Sequence, residues 1–231
     1  MNDTTEADYT GDVVPGGPPD TRVLPSLSIT KVAVDEKMAN NAYLLCCRTT
    51  GQQLLVDAAD DPDLLLDLIG DRGLEALVTT HQHWDHHRAL ERVVAATRCD
   101  VVAGAPDAEA VTEQTGVPVT RTVTDGDTIE VGACTLEVIR ITGHTPGSIC
   151  LLYDDRPAGG VPHLFTGDSL FPGGVGATFG DDDAFASLIE DVEHKIFGRL
   201  PDQTWFYPGH GKDSTLGAER PHLAEWRERG W

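Results

Sequence analysis

The stretch THQHWDHH, residues 80–87, gathers four histidines and an aspartate, in a chain with nine histidines among 231 residues. It follows LEALVTT, a short apolar run that reads as a buried strand. In a helix, His81 and Asp85 would share a face while His83 pointed elsewhere. In an extended or looped chain just past a strand, His81 and His83 project together, and a turn then aims Asp85 and His86 at a second point nearby. Imidazole and carboxylate are ligands that borderline divalent metals such as zinc accept, so one loop can feed two ions. A lone histidine is more often an ordinary surface residue. Four of them interleaved with aspartate at a strand end are not.

One loop cannot complete two coordination shells, and three further residues have the same placement. His144 lies in TGHTPGS after the strand EVIRIT, Asp168 in LFTGDSLF, and His210 in YPGHG. Each sits on a loop at the end of an apolar strand, with glycine beside it to let the backbone turn. A carboxylate can reach two cations about 3.5–4 Å apart, which one imidazole lone pair cannot, so Asp168 is the natural shared ligand. His87 begins the following helix and is expected to be an outer or exposed residue. His163, His194 and His222 read as ordinary surface histidines. Phe171, Phe179 and Trp84 are candidates for an apolar pocket near the metals, with core or rim packing an equal expectation.

Outward from this cluster, SLSITKVAV, AYLLCCR and QLLVDA read as strands, with a hairpin at the Gly-Gln between the last two. Residues 61–70 read as a short helix started by Pro62 and stopped by Gly70. HRALERVVAATR and PDAEAVTEQTG have helical spacing around the strand CDVVAG. Residues 118–153 turn strongly β, broken by the Asp-Gly at 125–126. Residues 181–200 form the best amphipathic helix, with Phe185, Leu188, Ile189, Val192 and Ile196 on one stripe. WFYPGH is a last strand and LAEWRERGW a last helix. An α+β arrangement of two sheets packed face to face with helices outside accommodates this order. The acidic, Pro/Gly-containing residues 1–25 read as a flexible lead-in to one domain over 26–231.

The formal charge of -21, from 38 acidic and 17 basic residues, argues against nucleic acid and anionic membranes as partners. No apolar run is long enough for a membrane span, and no signal peptide is evident, so a cytoplasmic protein acting on a small molecule is expected, with its oligomeric state open. The five cysteines form no CxxC pair and read as small buried apolar residues in a reducing compartment. Neither GxSxG, GxGxxG nor GKS/GKT occurs, so a serine nucleophile and nucleotide binding lack support.

With these residues in place, the chain resembles the metallo-β-lactamase superfamily. Its HxHxDH motif appears as His81-Gln82-His83-Trp84-Asp85-His86, and its later histidine, bridging aspartate and final histidine match His144, Asp168 and His210. The resemblance covers the chain from about residue 26 and implies an αβ/βα sandwich of two mixed sheets, with metals at one edge. It implies that His81, His83 and His144 hold a first ion, that Asp85, His86 and His210 hold a second, and that Asp168 lies between them. Zinc is the expected metal, with iron or manganese as alternatives. The phrases GHTPGS, TGDSLF and PGHG look most like the glyoxalase II (hydroxyacylglutathione hydrolase) branch, in its short single-domain bacterial form. That branch implies thioester hydrolysis by a hydroxide bridging the two ions, with Asp85 orienting the nucleophile. Two departures concern glutathione. Ala177 stands where relatives carry a basic residue, and the C-terminal helical region of the longer enzymes is lacking. A mononuclear iron persulfide dioxygenase using His81, His144 and Asp168, or a lactonase, are the competing readings.

Overall fold

A computed structural model describes residues 9–230. The first half builds a seven-stranded sheet whose spatial order follows the sequence. Strands β1 (Asp20–Val23), β2 (Leu27–Ala33), β3 (Asn41–Cys47) and β4 (Gln53–Val56) are antiparallel neighbours. Then α1 (Pro62–Ile69), α2 (Leu90–Thr97) and α3 (Ala108–Thr115) alternate with β5 (Ala76–Thr79), β6 (Asp100–Gly104) and β7 (Arg121–Val123). These later strands add in parallel, because each crossover contains a helix long enough to return the chain. The start of α1 follows from its residues: Asp61 accepts from the Leu64 N–H at 3.1 Å, and Pro62 gives up no helical hydrogen bond.

The Asp-Gly at 125–126 breaks the β-rich stretch as expected. It lies between β7 and β8 (Thr128–Val131), where the chain leaves the first sheet for the second. Strands β8, β9 (Cys134–Arg140), β10 (Ile149–Asp154) and β11 (Pro162–Gly167) form an antiparallel meander. A small hairpin, β12 (Leu170–Phe171) with β13 (Gly174–Val175), leads to α4 (Asp182–Asp191). The chain returns as β14 (Trp205–Pro208), parallel to β11, followed by β15 (Ser214–Thr215), α5 (Leu216–Glu219) and α6 (Leu223–Arg229). The amphipathic stripe over 181–200 is buried at Leu188, Ile189, Val192 and Ile196, but the helix is not uniform. Residues Val192–Phe197 widen into a π-helical turn, with the Gly198 N–H on the Glu193 carbonyl at 2.7 Å.

Three apolar clusters hold the layers together. Ile29, Leu45, Val78, Val138, Leu151 and Phe165 lie between the two sheets. Leu65, Leu77, Leu90, Val93 and Val111 seal α1, α2 and α3 to the first sheet's outer face. Leu164, Leu188, Ile196, Phe206 and Trp226 do the same for the second sheet. The result is helices, sheet, sheet, helices: the αβ/βα layering expected from the resemblance. Among the described residues no helix is long and apolar enough to cross a membrane.

The expected flexible lead-in over residues 1–25 falls partly on 1–8, which lie outside the described residues. Residues 9–25 correct it, because they pack. Tyr9 is buried and donates to Asp213 at 2.7 Å, and the Arg22 guanidinium lies 4.4 Å from the Tyr9 ring and 4.0 Å from the Trp205 ring. Cation–π and aromatic contacts with residues about two hundred positions away hold a segment whose composition alone suggests no structure.

His163 is a second correction. It is a fully buried residue of β11 rather than a surface histidine, with Nδ1 2.9 Å from the Tyr207 hydroxyl. Burial and the nearby Arg22 charge push its pKa down to about 3. In the unfolded chain the same imidazole takes up a proton below its ordinary value near 6.5. Its contribution to stability is therefore intact above pH 6.5 and is lost as pH falls toward 3, by about 1.4 kcal/mol per unit. Urea unfolding at pH 6.5 and 4.5 should show His163→Gln losing roughly 2–3 kcal/mol less than the unmodified chain over that interval. Equal losses would mean that His163 is protonated in the folded state.

Candidate metal centre

Five chain segments, all just past strand C-termini, converge where the sheets meet at one edge. They are the end of β4, the 80–87 loop after β5, and the loops carrying His144 after β9, Asp168 after β11 and His210 after β14. Close approach of the last two depends on a missing side chain. A Cβ on Gly209 would sit 2.6 Å from His86 Cε1 and would collide with the Asp168 carboxylate. The His210 loop is tied to the first sheet by main-chain bonds: the Asn41 N–H to the Gly209 carbonyl at 2.8 Å and the Gly211 N–H to the Ala39 carbonyl at 3.1 Å.

All seven residues expected from the sequence are brought together. Three groups have ligand atoms within 4.8 Å of one another: His81, His83 and His144; Asp85, His86 and His210; and Asp168 with His81 and His86. Within the first, His144 Nε2 lies 2.9 Å from His83 Nδ1 and 3.3 Å from His81 Nε2. Within the second, His86 Nε2 is 3.2 Å from His210 Nε2, and Asp85 Oδ2 is 3.5 and 3.3 Å from those nitrogens. Asp168 spans the two. Its Oδ1 is 3.3 Å from His86, and its Oδ2 is 3.3 Å from His210 and 3.7 Å from His144.

The outward bonds of the histidines decide which nitrogen faces inward. His144 Nδ1 donates to the Ala177 carbonyl at 2.8 Å, and His210 Nδ1 to the Met38 carbonyl at 2.9 Å. His86 Nδ1 donates to Asp57 at 2.8 Å. Thr80 gives its hydroxyl proton to Asp57, so it can only accept from His81 Nδ1, 3.1 Å away. Four Nε2 lone pairs are thereby turned toward the centre. Lone pairs facing one another at 3.2–3.3 Å repel unless a proton or a metal ion lies among them, and in the metal-free centre the carboxylates favour a proton on His86 and His210. Two nitrogens bound to one tetrahedral ion at 2.0–2.1 Å lie about 3.3 Å apart. The donor set and its spacing fit divalent metal.

Charge points the same way. Burial and the neighbouring rings depress His81, His83 and His144, with His83 down to about 4, so these imidazoles are neutral near pH 7. Burial works against ionised Asp168 and Asp85, yet His86 and His210 hold both carboxyls well below the usual range. Burial likewise opposes charge on His86 and His210, but the carboxylates prevail and raise His210 to about 9. Buried carboxylates need countercharge, and this centre is built to receive it.

Several supporting residues are missed by the sequence reading. Asp57, at the end of β4 with φ 58°, accepts from the Thr80 N–H and hydroxyl and from His86, each at 2.8 Å. Asn40 donates to Asp85 Oδ2 at 3.0 Å. Asp107 accepts from the Gln82 N–H, the Thr145 hydroxyl and the Gly147 N–H, and so joins the two loops carrying His83 and His144. A carboxylate just past QLLV, repeating the strand-end pattern of the seven, was the available hint for Asp57. His87 is not exposed. It is buried, with Nε2 3.2 Å from the Gln82 carbonyl, and it shapes the loop from beneath. His194 and His222 are exposed, as expected.

The metallo-beta-lactamase superfamily model matches residues 36–210. Among curated proteins, the chain is 32% identical over 186 residues to a hydroxyacylglutathione hydrolase of Rhodospirillum rubrum, covering 80% of this chain and 66% of that one. It is 31% identical over 192 residues to a probable hydroxyacylglutathione hydrolase, glo2, of Schizosaccharomyces pombe, covering 80% and 69%. The chain thus spans about two thirds of the length of these relatives. Among solved structures, TTHA1623 in a di-iron-bound form superposes with a TM-score of 0.62 at 29% identity, covering 81% of this chain and 95% of that one.

Proposed function

The chain belongs to the metallo-beta-lactamase superfamily, and from that premise we propose that it is a thioester hydrolase working with two divalent metal ions. His81, His83 and His144 would hold one ion, and Asp85, His86 and His210 the other, with Asp168 shared. The observation that carries this reading is the Asp168 carboxylate, which lies within 3.3–3.7 Å of histidines from both triads. Zinc suits the nitrogen and oxygen donors, with iron or manganese next.

Ions in these positions supply a water that ionises near neutral pH and a Lewis acid for the substrate carbonyl. The chain's own residues do the rest. Asp85, fixed by Asn40 and set beside the His210 ring, would accept a hydrogen bond from the attacking water and so orient it. Asp57 keeps His86 in the tautomer that presents Nε2, and Ala177 does the same for His144 through its carbonyl. The hydroxyacylglutathione hydrolases at 31–32% identity support a thioester as the bond cleaved.

The test is metal content of the purified protein, measured together with hydrolysis of S-lactoylglutathione and of neutral acyl thioesters. Two divalent ions per chain with thioester cleavage is the expected result. One iron per chain with sulfur-dependent oxygen uptake would replace this reading with the mononuclear one on His81, His144 and Asp168.

A further inference from the structure

Few large apolar side chains are left exposed. Among the described residues they are Val14, Met38, Trp84 and Phe179, and of these the Phe179 ring stands directly against the metal-centre histidines. Phe179 is 79% exposed, and its ring centroid lies 5.8 Å from that of His83 and 6.2 Å from that of His144. Trp84, 55% exposed, sits inside the ligand loop between His83 and Asp85. Met38 offers its carbonyl to His210, and the Phe171 ring is 6.1 Å from the His210 ring. Phe179 also holds a left-handed backbone, φ 54°, a conformation unfavourable for a residue with a Cβ. An aromatic presented to water in that conformation, against the ligands, is not explained by core packing.

The charges that follow Phe179 in the chain repel anions, with Lys37, exposed beside Met38, the cation to set against them. Residues 181–183, directly after Phe179 and Gly180, are three aspartates, all exposed. Arg88, stacked 4.9 Å from the Trp84 ring, is already shared among Asp35, Asp60 and the Ala59 carbonyl. Ala177 contributes a backbone carbonyl and no charge. A glutathione tail brings two carboxylates, and here it would meet carboxylates.

We propose that Phe179, with Phe171 across the centre, forms a specificity surface for an apolar acyl group on an uncharged carrier, while the aspartates at 181–183 select against anionic carriers such as glutathione. This rests on the hydrolase reading and narrows its substrate class. Contiguity with the metal ligands makes the substrate the occupant, because a group seated on the rim places its carbonyl over the centre.

The experiment uses metal-loaded protein and acetyl, butyryl and hexanoyl thioesters of N-acetylcysteamine, with S-lactoylglutathione alongside. The expected kcat/KM rises roughly two- to fourfold per methylene and exceeds that for S-lactoylglutathione. Phe179→Ala should flatten the series through KM rather than kcat. Independently of turnover, calorimetry should show S-hexyl-N-acetylcysteamine, a non-hydrolysable thioether, binding roughly tenfold more weakly to Phe179→Ala, with Phe179→Leu between. Asp182→Asn/Asp183→Asn should improve S-lactoylglutathione use at low salt only. A flat acyl series with S-lactoylglutathione preferred, and its KM raised by Lys37→Ala beside Met38, would overturn the rim assignment and leave the hydrolase standing. Thioether binding lost in Phe179→Ala with no thioester cleaved would sink the hydrolase reading and keep the apolar surface. Neither binding nor cleavage would remove both.

Discussion

Asp168→Ala is expected to yield a folded protein that holds about one metal ion instead of two and cleaves thioesters two to four orders of magnitude more slowly. The size follows from electrostatics. Removing one member of a buried, mutually compensating charge set costs about 3–5 kcal/mol, and each 1.4 kcal/mol is tenfold in rate or affinity. Among the described residues Asp168 is the one carboxylate facing histidines of both triads, with His86, His210 and His144 at 3.3, 3.3 and 3.7 Å. Asp168→Asn is the sharper variant. It keeps the shape but offers a single carbonyl oxygen in place of two anionic ones, so the site holds one cation and loses the second. Metal analysis, circular dichroism and thioester turnover on both variants check this. Two ions per chain and near-normal turnover in either would show that the carboxylate is not shared.

Residues 80–87 foretold much because their chemistry is local. A strand period ending in HxHxDH constrains both the loop and the ions it suits, and His144, Asp168 and His210 repeat one visible pattern: apolar strand, glycine, ligand type. The parts that escaped are those whose meaning lies in a distant partner. Asp57 continues the strand QLLVDA, and only β4 lying parallel to β5 brings it under Thr80 and His86. His163 follows a loop of Gly and Pro residues, and only pairing of β11 with β14 sets it against Tyr207. Tyr9 stands in an acidic, Pro/Gly-containing stretch, and its partners Trp205 and Asp213 come two hundred residues later. The π-helical turn at 192–197 is equally silent, since the apolar stripe is satisfied whether or not one turn is widened.

Lys31→Met is expected to lower the unfolding free energy by about 3–5 kcal/mol, and with it the melting temperature by roughly 6–20 °C for a chain of this size. Lys31 follows Leu27 and Ile29 at strand spacing, so the sheet turns it inward as it turns them. Its ammonium is buried away from bulk solvent and finds three acceptors: the Gly11 carbonyl at 3.0 Å, the Gly211 carbonyl at 2.8 Å and Asp213 Oδ1 at 2.6 Å. Both side chains are essentially inaccessible, at 0% and 1%. Burial already pushes the Asp213 carboxyl up against the pull of Lys31, Trp205 and Tyr9, so losing Lys31 leaves a charge the interior cannot hold. Asp213→Leu alone should be as harmful, by stranding the ammonium. The double variant Lys31→Met/Asp213→Leu should recover part of the loss, since no buried charge is left uncompensated, while the Tyr9 hydroxyl and the Trp205 indole N–H still lose their acceptor. Urea unfolding of the three variants measures the coupling. Simple addition of the single losses would show that the pair is not mutually compensated. The Gly211 carbonyl adds a functional consequence, because it belongs to the residue after His210. Without the Lys31 donor that carbonyl keeps only Asn41, at 3.0 Å, and the His210 loop loosens. Compared with Asp213→Leu alone, the double variant should therefore release metal faster to a chelator even though its stability is higher. That separates anchoring of the loop from bulk stability.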